Sequence, residues 1–340
     1  MADVPKLDAS LNGLNADAAG RAEAAEEMGF DGLFNPELNY DSFLPLPVVA
    51  EHTDDIQFGT RIATAFTRSP MLLAYQGWDL ARYSEGRFVL GIGSQVRAHN
   101  ERRFSVDWEA PTDRLREVVE AVKFIWRYWA GEEDTFQWEG DHYEFSLMTT
   151  VFKPGSHDYT DIPIWTAGVN EGNVKLAGEV ADGLCLHSFN TPKYTEEKIQ
   201  PWLEEAAADA GRSMDDVTIS ASPFVITGDE STRSSRREMV RMRIAFYGST
   251  PAYKPVMQTH GWEDVGRTLW ELSKEHKWGE MIGHVTDEMV DTFAVEAPLD
   301  EIADAVKDEY AGVADRVMFD MDTGFEGQDW WQDIVDDWHE

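Results

Sequence analysis

Residues 161–189, DIPIWTAGVNEGNVKLAGEVADGLCLHSF, hold a complete strand–turn–helix–strand unit. Two strands joined through a helix read as one unit of a larger α/β fold. Ile162 to Trp165 is a short apolar run of strand type, broken by the small residues Thr166-Ala167-Gly168. Asn170 can cap a helix, and Val174, Leu176, Ala177 and Val180 recur behind it at helical spacing. Asp182-Gly183 then turns the chain into a second apolar run, Leu184 to Leu186. A small-residue turn between a strand's C-terminal end and a helix N-terminus can accept a phosphate, because backbone N–H groups and the helix dipole both point there.

The same alternation runs along the chain. Strands are predicted over 4–11, 30–34, 56–64, 87–92, 162–165, 184–186, 217–227 and 316–321. Helices are predicted over 16–28, 43–52, 70–83, 111–130, from Asn170 to Val180, and over 196–210, 299–310 and 330–338. A hairpin turning at Glu139-Gly140-Asp141 interrupts the pattern. This order predicts an α/β fold, a (β/α)8 TIM barrel with insertions, occupying 1–340 as one domain. Segment 229–296, mostly helical and rich in aromatics, reads as an insertion covering the active-site end. An open doubly wound sheet is the alternative. Gly91-Ile92-Gly93 does not make it a dinucleotide fold, because Val96 stands where the third glycine of that motif belongs.

Charge narrows the function. Asp and Glu number 64 against 29 Lys and Arg, a formal net charge of −35 spread through every segment. Nucleic acid and anionic membrane surfaces need basic patches, so neither is an expected partner. Dispersed acidity of this degree resembles that of halophile proteins, whose surfaces stay solvated in concentrated salt; an ordinary acidic protein is the other reading. Cys185 is the single cysteine, which excludes an intrachain disulfide, and its apolar strand suits a packed thiol. The first residues lack a basic region followed by an apolar run, and no apolar stretch approaches the ~20 residues of a membrane span. The expectation is a cytoplasmic protein acting on a small molecule.

In a barrel, chemistry gathers where strands end. The predicted strand ends offer Asp8, Glu37, Ile62 to Thr64, Ser94, Gly168-Val169, His187-Ser188 and Thr227. No metal-ligand spacing, nucleophile elbow or P-loop is present, so no metal is expected. Small, neutral, backbone-rich strand ends beside aromatics suit a flat conjugated cofactor better than a hydrolytic site.

The runs AEEMGFDGLFNPE (24–37), FGTRIATAFTRSP (58–70), RYSEGRFVLGIGSQV (82–96) and IWTAGVNEGNVKLAGEVADGL (164–184) resemble the luciferase-like monooxygenase superfamily. Together with RIAFYGSTPAY (243–253) and HGW (260–262), they resemble its branch that uses the deazaflavin coenzyme F420. The resemblance implies F420 as cofactor, with FMN as the alternative. It implies a cis peptide at Arg61–Ile62, in a bulge that backs the ring, with Thr64 facing the cofactor and Ser94 contacting it. It also implies a phosphate turn at Gly168 and Val169, with His187 near the same phosphate. Plain turn geometry would explain Gly168 equally, and a strand-end histidine with a backbone partner would explain His187.

Two positions depart from the pattern. Deazaflavin alcohol dehydrogenases of this superfamily carry an Asp-His pair where this chain has Glu37-Leu38, and a Glu where it has Val96. Candidates for a general base are Glu37, His99, His142, Tyr247 and His260, with Glu37 foremost and a loop cap as its alternative role. Arg97, Arg102 and Arg103 form the densest basic cluster; they suit either a cofactor tail or surface ion pairs. Trp108, Trp138, Phe246, Tyr247 and Tyr253 suit either a pocket wall or core. The reading implied is a hydride-transfer oxidoreductase. An FMN-dependent monooxygenase and a non-catalytic flavin-binding barrel are the alternatives, and a homodimer is left open.

Overall fold

The computed structural model describes residues 4–11, 17–321 and 329–340. Eight parallel strands close into a barrel: β1 (Lys6–Ser10), β2 (Gly32–Asn35), β3 (Gln57–Thr60), β4 (Phe88–Gly93), β5 (Ile164–Ala167), β6 (Gly183–Cys185), β7 (Thr218–Ala221) and β8 (Arg316–Met318). Closure comes from β8 returning to β1, with Lys6 opposite Arg316 and Asp8 opposite Met318. The fold is therefore the TIM barrel and not the open doubly wound sheet. The helices include α1 (Ala18–Met28), α2 (Leu46–Glu51), α3 (Pro70–Tyr83), α4 (Pro111–Ala130), α5 (Glu171–Val180), α6 (Gln200–Asp209), α7 (Glu230–Gly248), α8 (Ile302–Tyr310) and α9 (Trp330–His339). The expected start of α1 at Ala16 lies outside the described residues. α2 is shorter than its pattern: Pro45 stands just before it, where a missing N–H costs nothing.

Two strands read as continuous in the sequence are divided. The third ends at Thr60; the Arg61–Ile62 peptide is cis, and Ala63–Thr64 then pairs with Ile92 and Gly93 of β4. The resulting bulge lies close against β4. A Cβ on Gly91 would sit 2.0 Å from the Thr60 carbonyl oxygen, and one on Gly59 would sit 2.1 Å from that of Val89. Only glycine fits at either point. Thr60 Oγ1 staples the bulge, donating to the Gly91 carbonyl (2.6 Å) and accepting from its N–H (3.0 Å).

The seventh strand divides at Pro223. Thr218–Ala221 stays in the barrel, while Phe224–Ile226 leaves it to pair in parallel with Ala294–Glu296. Proline has no N–H for the ladder, so the strand is interrupted there, although Phe224 still bridges Asp320 in the same parallel register. This small second sheet ties together the two ends of the helical excursion, which includes α7, Glu263–Lys274 and Asp287–Phe293. The excursion is not a separate core: Val240, Ile244, Leu269 and Val290 belong to the same buried cluster as barrel residues Leu7, Phe58 and Leu90.

Inside the barrel a smaller cluster holds Phe34, Val89, Trp165 and Cys185. Phe34 and Trp165 stack at 5.2 Å, and the Arg316 guanidinium lies within 5.7 Å of both ring centroids. Arg316 pairs with Asp8, and both are buried. Cys185 is packed as expected, with its thiol pKa pushed up by burial.

Candidate active site

A cavity of about 720 Å³ lies at the C-terminal ends of the barrel strands. That volume is in the range of small-molecule and cofactor sites. Seven of the eight residues singled out in the sequence line it: Glu37, Arg61, Ile62, Ser94, Gly168, Val169 and His187. Thr64, expected to face the cofactor, does not line the cavity. It is 1 % exposed, and its backbone N–H donates to Glu37 Oε2 at 2.6 Å. Its carbonyl accepts from Thr67 Oγ1, so the short 3-10 turn after the bulge draws it away from the cavity.

The Gly168 turn presses onto the first turn of α5. A Cβ on Gly168 would lie 3.1 Å from the Val174 nitrogen and 3.2 Å from the Asn173 carbonyl carbon. Asn170, at the N-cap, does not cap with its side chain; its Nδ2 donates to the Ala252 carbonyl of the excursion (3.0 Å). The first helix amides therefore end at the cavity without a capping side chain, beside Gly168, Val169, Asn170, Gly172 and Asn173. Such an end carries roughly half a positive charge. The Tyr194 hydroxyl donates to the Val169 carbonyl (2.9 Å) and holds the turn in place.

His187 is partly buried between two tyrosine rings, at 4.6 Å from Tyr247 and 4.7 Å from Tyr253. Its Nδ1 accepts the Phe189 N–H at 2.9 Å. Burial holds its pKa down at about 4, with the Arg243 and Arg61 charges adding to the effect and Asp320 opposing it. A neutral ring whose Nδ1 accepts must carry its proton on Nε2, so His187 offers a hydrogen-bond donor.

Carboxylates do line the cavity, and arginines hold them. Glu37 takes both prongs of Arg68 at 2.9 Å, each side chain 8 % exposed. Asp320 takes both prongs of Arg243 (2.7 and 2.6 Å) and also accepts from Ser188 Oγ. Asp8 takes Arg316, as described above. Arg61 bonds Ser220 through Nε to Oγ (3.1 Å) and through Nη2 to the carbonyl oxygen (2.8 Å). Both Glu37 oxygens are occupied, by Arg68 and by the Thr64 N–H, so Glu37 brackets β2 to the bulge.

Of the other base candidates, Tyr247 lines the cavity, whereas His99, His142 and His260 do not. His260 bonds Thr191 and stacks on Trp262. The His142 N–H joins that of Tyr143 on the Glu117 carboxylate, anchoring the hairpin. Arg97 reaches the cavity rim, but Arg102 and Arg103 do not. Trp108 and Tyr253 are wall residues; Trp138 and Phe246 are not. The sequence reading did not single out the Arg243–Asp320 pair. Both ends were in view, one opening the RIAFYGSTPAY run and one within the eighth predicted strand, but nothing in the sequence joined them. Leu38 and Val96 both line the cavity, so the two departures fall at the site itself. Among the described residues no group of His, Cys, Asp or Glu could hold a metal ion.

A parallel (β/α)8 barrel with a bulged third strand and an open helix end after its fifth strand is an enzyme scaffold of the luciferase-like class. The chain belongs to the luciferase-like monooxygenase family, whose model matches residues 9–316. It is 42% identical over 314 residues to an uncharacterized protein of Mycobacterium tuberculosis, covering 92% of each chain. It is 28% identical over 303 residues to a 5,10-methylenetetrahydromethanopterin reductase of Archaeoglobus fulgidus, covering 86% of each. Among solved structures, the coenzyme F420 dependent tetrahydromethanopterin reductase of Methanopyrus kandleri superposes with a TM-score of 0.76 at 22% identity, covering 98% of this chain and 96% of the other. No helix among the described residues is long and apolar enough to cross a membrane.

Proposed function

We propose that the protein is an F420-dependent oxidoreductase acting on a small organic substrate. The observation that carries this reading is the uncapped N-terminus of α5 behind Gly168, opening on a cavity backed by the Arg61–Ile62 bulge. The residues present fit the cofactor: a cradle that a Cβ at Gly168 would crowd, a helix end without a side-chain cap for a phosphate, and the Arg61–Ile62 bulge for a flat ring. F420-dependent relatives support the same choice.

In this reading the amides at Gly168, Val169 and the first turn of α5 hold the phosphate, with His187 Nε2–H as an added donor. Ile62 backs the ring and Ser94 contacts it. When bound, the deazaflavin supplies two-electron hydride transfer at its ring carbon. The chain's own part is to position, to exclude water and to keep its carboxylates pinned. Glu37, Asp320 and Asp8 stay on their arginines, and Leu38 and Val96 present apolar groups to the substrate. Proton transfer of the alcohol-dehydrogenase kind, through a His and a Glu at those two positions, is therefore not available.

An FMN-dependent monooxygenase is the second reading, because the Gly168 turn would receive either phosphate. Fluorescence titration of the purified protein with F420 and with FMN in concentrated KCl separates the two. F420 binding is expected. Tight FMN binding without F420 binding would sink the proposal, and binding of neither would favour a role without a cofactor.

A further inference from the structure

The excursion carries a second cavity, of about 310 Å³, lined by Met242, Phe246, Trp278, Met281 and Ile282 together with Arg243 and Tyr247. Arg243 and Tyr247 also line the main cavity. The reason lies in α7. Residues four apart share a face of a helix, so α7 presents two adjoining stripes, Arg243 with Tyr247 and Met242 with Phe246. The first stripe faces the main cavity and the second faces the smaller one, with α7 as the ridge between.

The smaller cavity is apolar, and it holds three of the large apolar side chains that the protein leaves open. Met242 is 52% exposed, Phe246 53% and Trp278 47%. Phe246 lies 6.2 Å from Trp278 and 5.3 Å from Tyr247, so one aromatic surface runs from this cavity to the Tyr247 ring and on to His187. A contiguous exposed apolar surface rimmed by polar groups marks a site that receives a ligand or partner. The only polar groups on its lining, Arg243 and Tyr247, stand at the edge it shares with the main cavity, and the Arg243 charge is already matched by Asp320.

We propose that the second cavity is a substrate subsite that takes an apolar arm, alkyl or aromatic, of a molecule whose reacting head sits in the main cavity. The substrate class is then an elongated amphipathic molecule, larger than the small alcohols or acids that the main cavity alone would hold. The proposal rests on the main cavity being the catalytic chamber, but not on which cofactor it holds.

The test uses the full-length protein and the neutral fluorescent dye N-phenyl-1-naphthylamine. Saturable binding of one dye per chain is expected. Phe246→Glu should weaken it at least about tenfold, because a carboxylate in an apolar wall must be desolvated when the dye binds. Trp278→Ser, a variant that adds no charge, should weaken it in the same direction, and circular dichroism confirms that each variant is folded. The n-alkanols should displace the dye with an affinity rising about fourfold per added methylene. Bound dye should shift the His187 ring resonances, identified by their loss in His187→Gln, because Tyr247 touches both sites.

Dye binding unchanged in both folded variants would overturn the proposal. So would binding that leaves the His187 signals unmoved, since the cavities would then be separate. A dimer that Phe246→Glu dissolves would also overturn it, by assigning this surface to a second copy of the chain. Because no outcome involves F420 or FMN, loss of the cofactor reading would leave this test intact, and the reverse holds as well.

Discussion

Glu37 and Arg68 meet in a two-pronged ion pair, 2.9 Å on each prong, with both side chains nearly buried. The pair joins the end of β2 to the segment after the bulge, since Glu37 also accepts the Thr64 N–H. Arg68 has a further partner in Asp41 at 2.7 Å. One sequence-level candidate for catalysis is thus committed to holding the bulge in place.

Glu37→Gln should therefore act on stability. Breaking a fully buried pair costs about 3–5 kcal/mol, and the retained Asp41 partner lowers the expectation here to about 2–3 kcal/mol. Urea unfolding of the variant and the wild type measures it. Unchanged stability with lost turnover, and loss of an acidic limb from the pH–rate profile, would return Glu37 to the role of general base.

Gly168→Val should weaken binding of the cofactor phosphate by about tenfold or more, through crowding of the first turn of α5. Titration with F420, and separately with FMN, reads the effect. Affinity equal to that of the wild type would remove this turn from the site.

The partly buried, neutral His187 makes stability depend on pH. Its folded pKa, about 4, lies below the ordinary value of 6.5, so between the two the unfolded chain binds the extra proton. The contribution is fully present above about pH 6.5 and is lost as pH falls toward 4. The pKa difference is worth about 3 kcal/mol. The groups that set it are Arg243, Arg61 and Asp320, and the Tyr247 and Tyr253 rings enclose it. The stability difference between wild type and His187→Gln, from denaturant curves at pH 7 and pH 5, should shrink at the lower pH. A constant difference would contradict the burial argument.

The dispersed charge of −35 sets an expectation for salt. Screening shortens from about 10 Å at 0.1 M to about 3 Å at 1 M ionic strength, so self-repulsion should fade and the melting temperature should climb across that range. Calorimetry in a KCl series checks this. A melting temperature independent of KCl would remove the salt-adapted reading of the acidic surface.

The sequence by itself determined the alternation of strands and helices, the parallel barrel and the open turn at Gly168. Each of these depends on local pattern: apolar runs of strand length, helical spacing, and small residues at the joints. It also supplied, through resemblance, the cis peptide at Arg61–Ile62. Tertiary structure alone decided that the seventh strand breaks at Pro223 to form a second small sheet, because sheet membership depends on which neighbour a backbone can still pair with. It decided that Thr64 turns away from the cavity while Asp8, Glu37 and Asp320 meet arginines 308, 31 and 77 residues distant. A carboxylate at a strand end reads the same in sequence whether it is free or gripped. Its chemistry is set by the charge that folding brings against it, and that partner comes from a distant part of the chain.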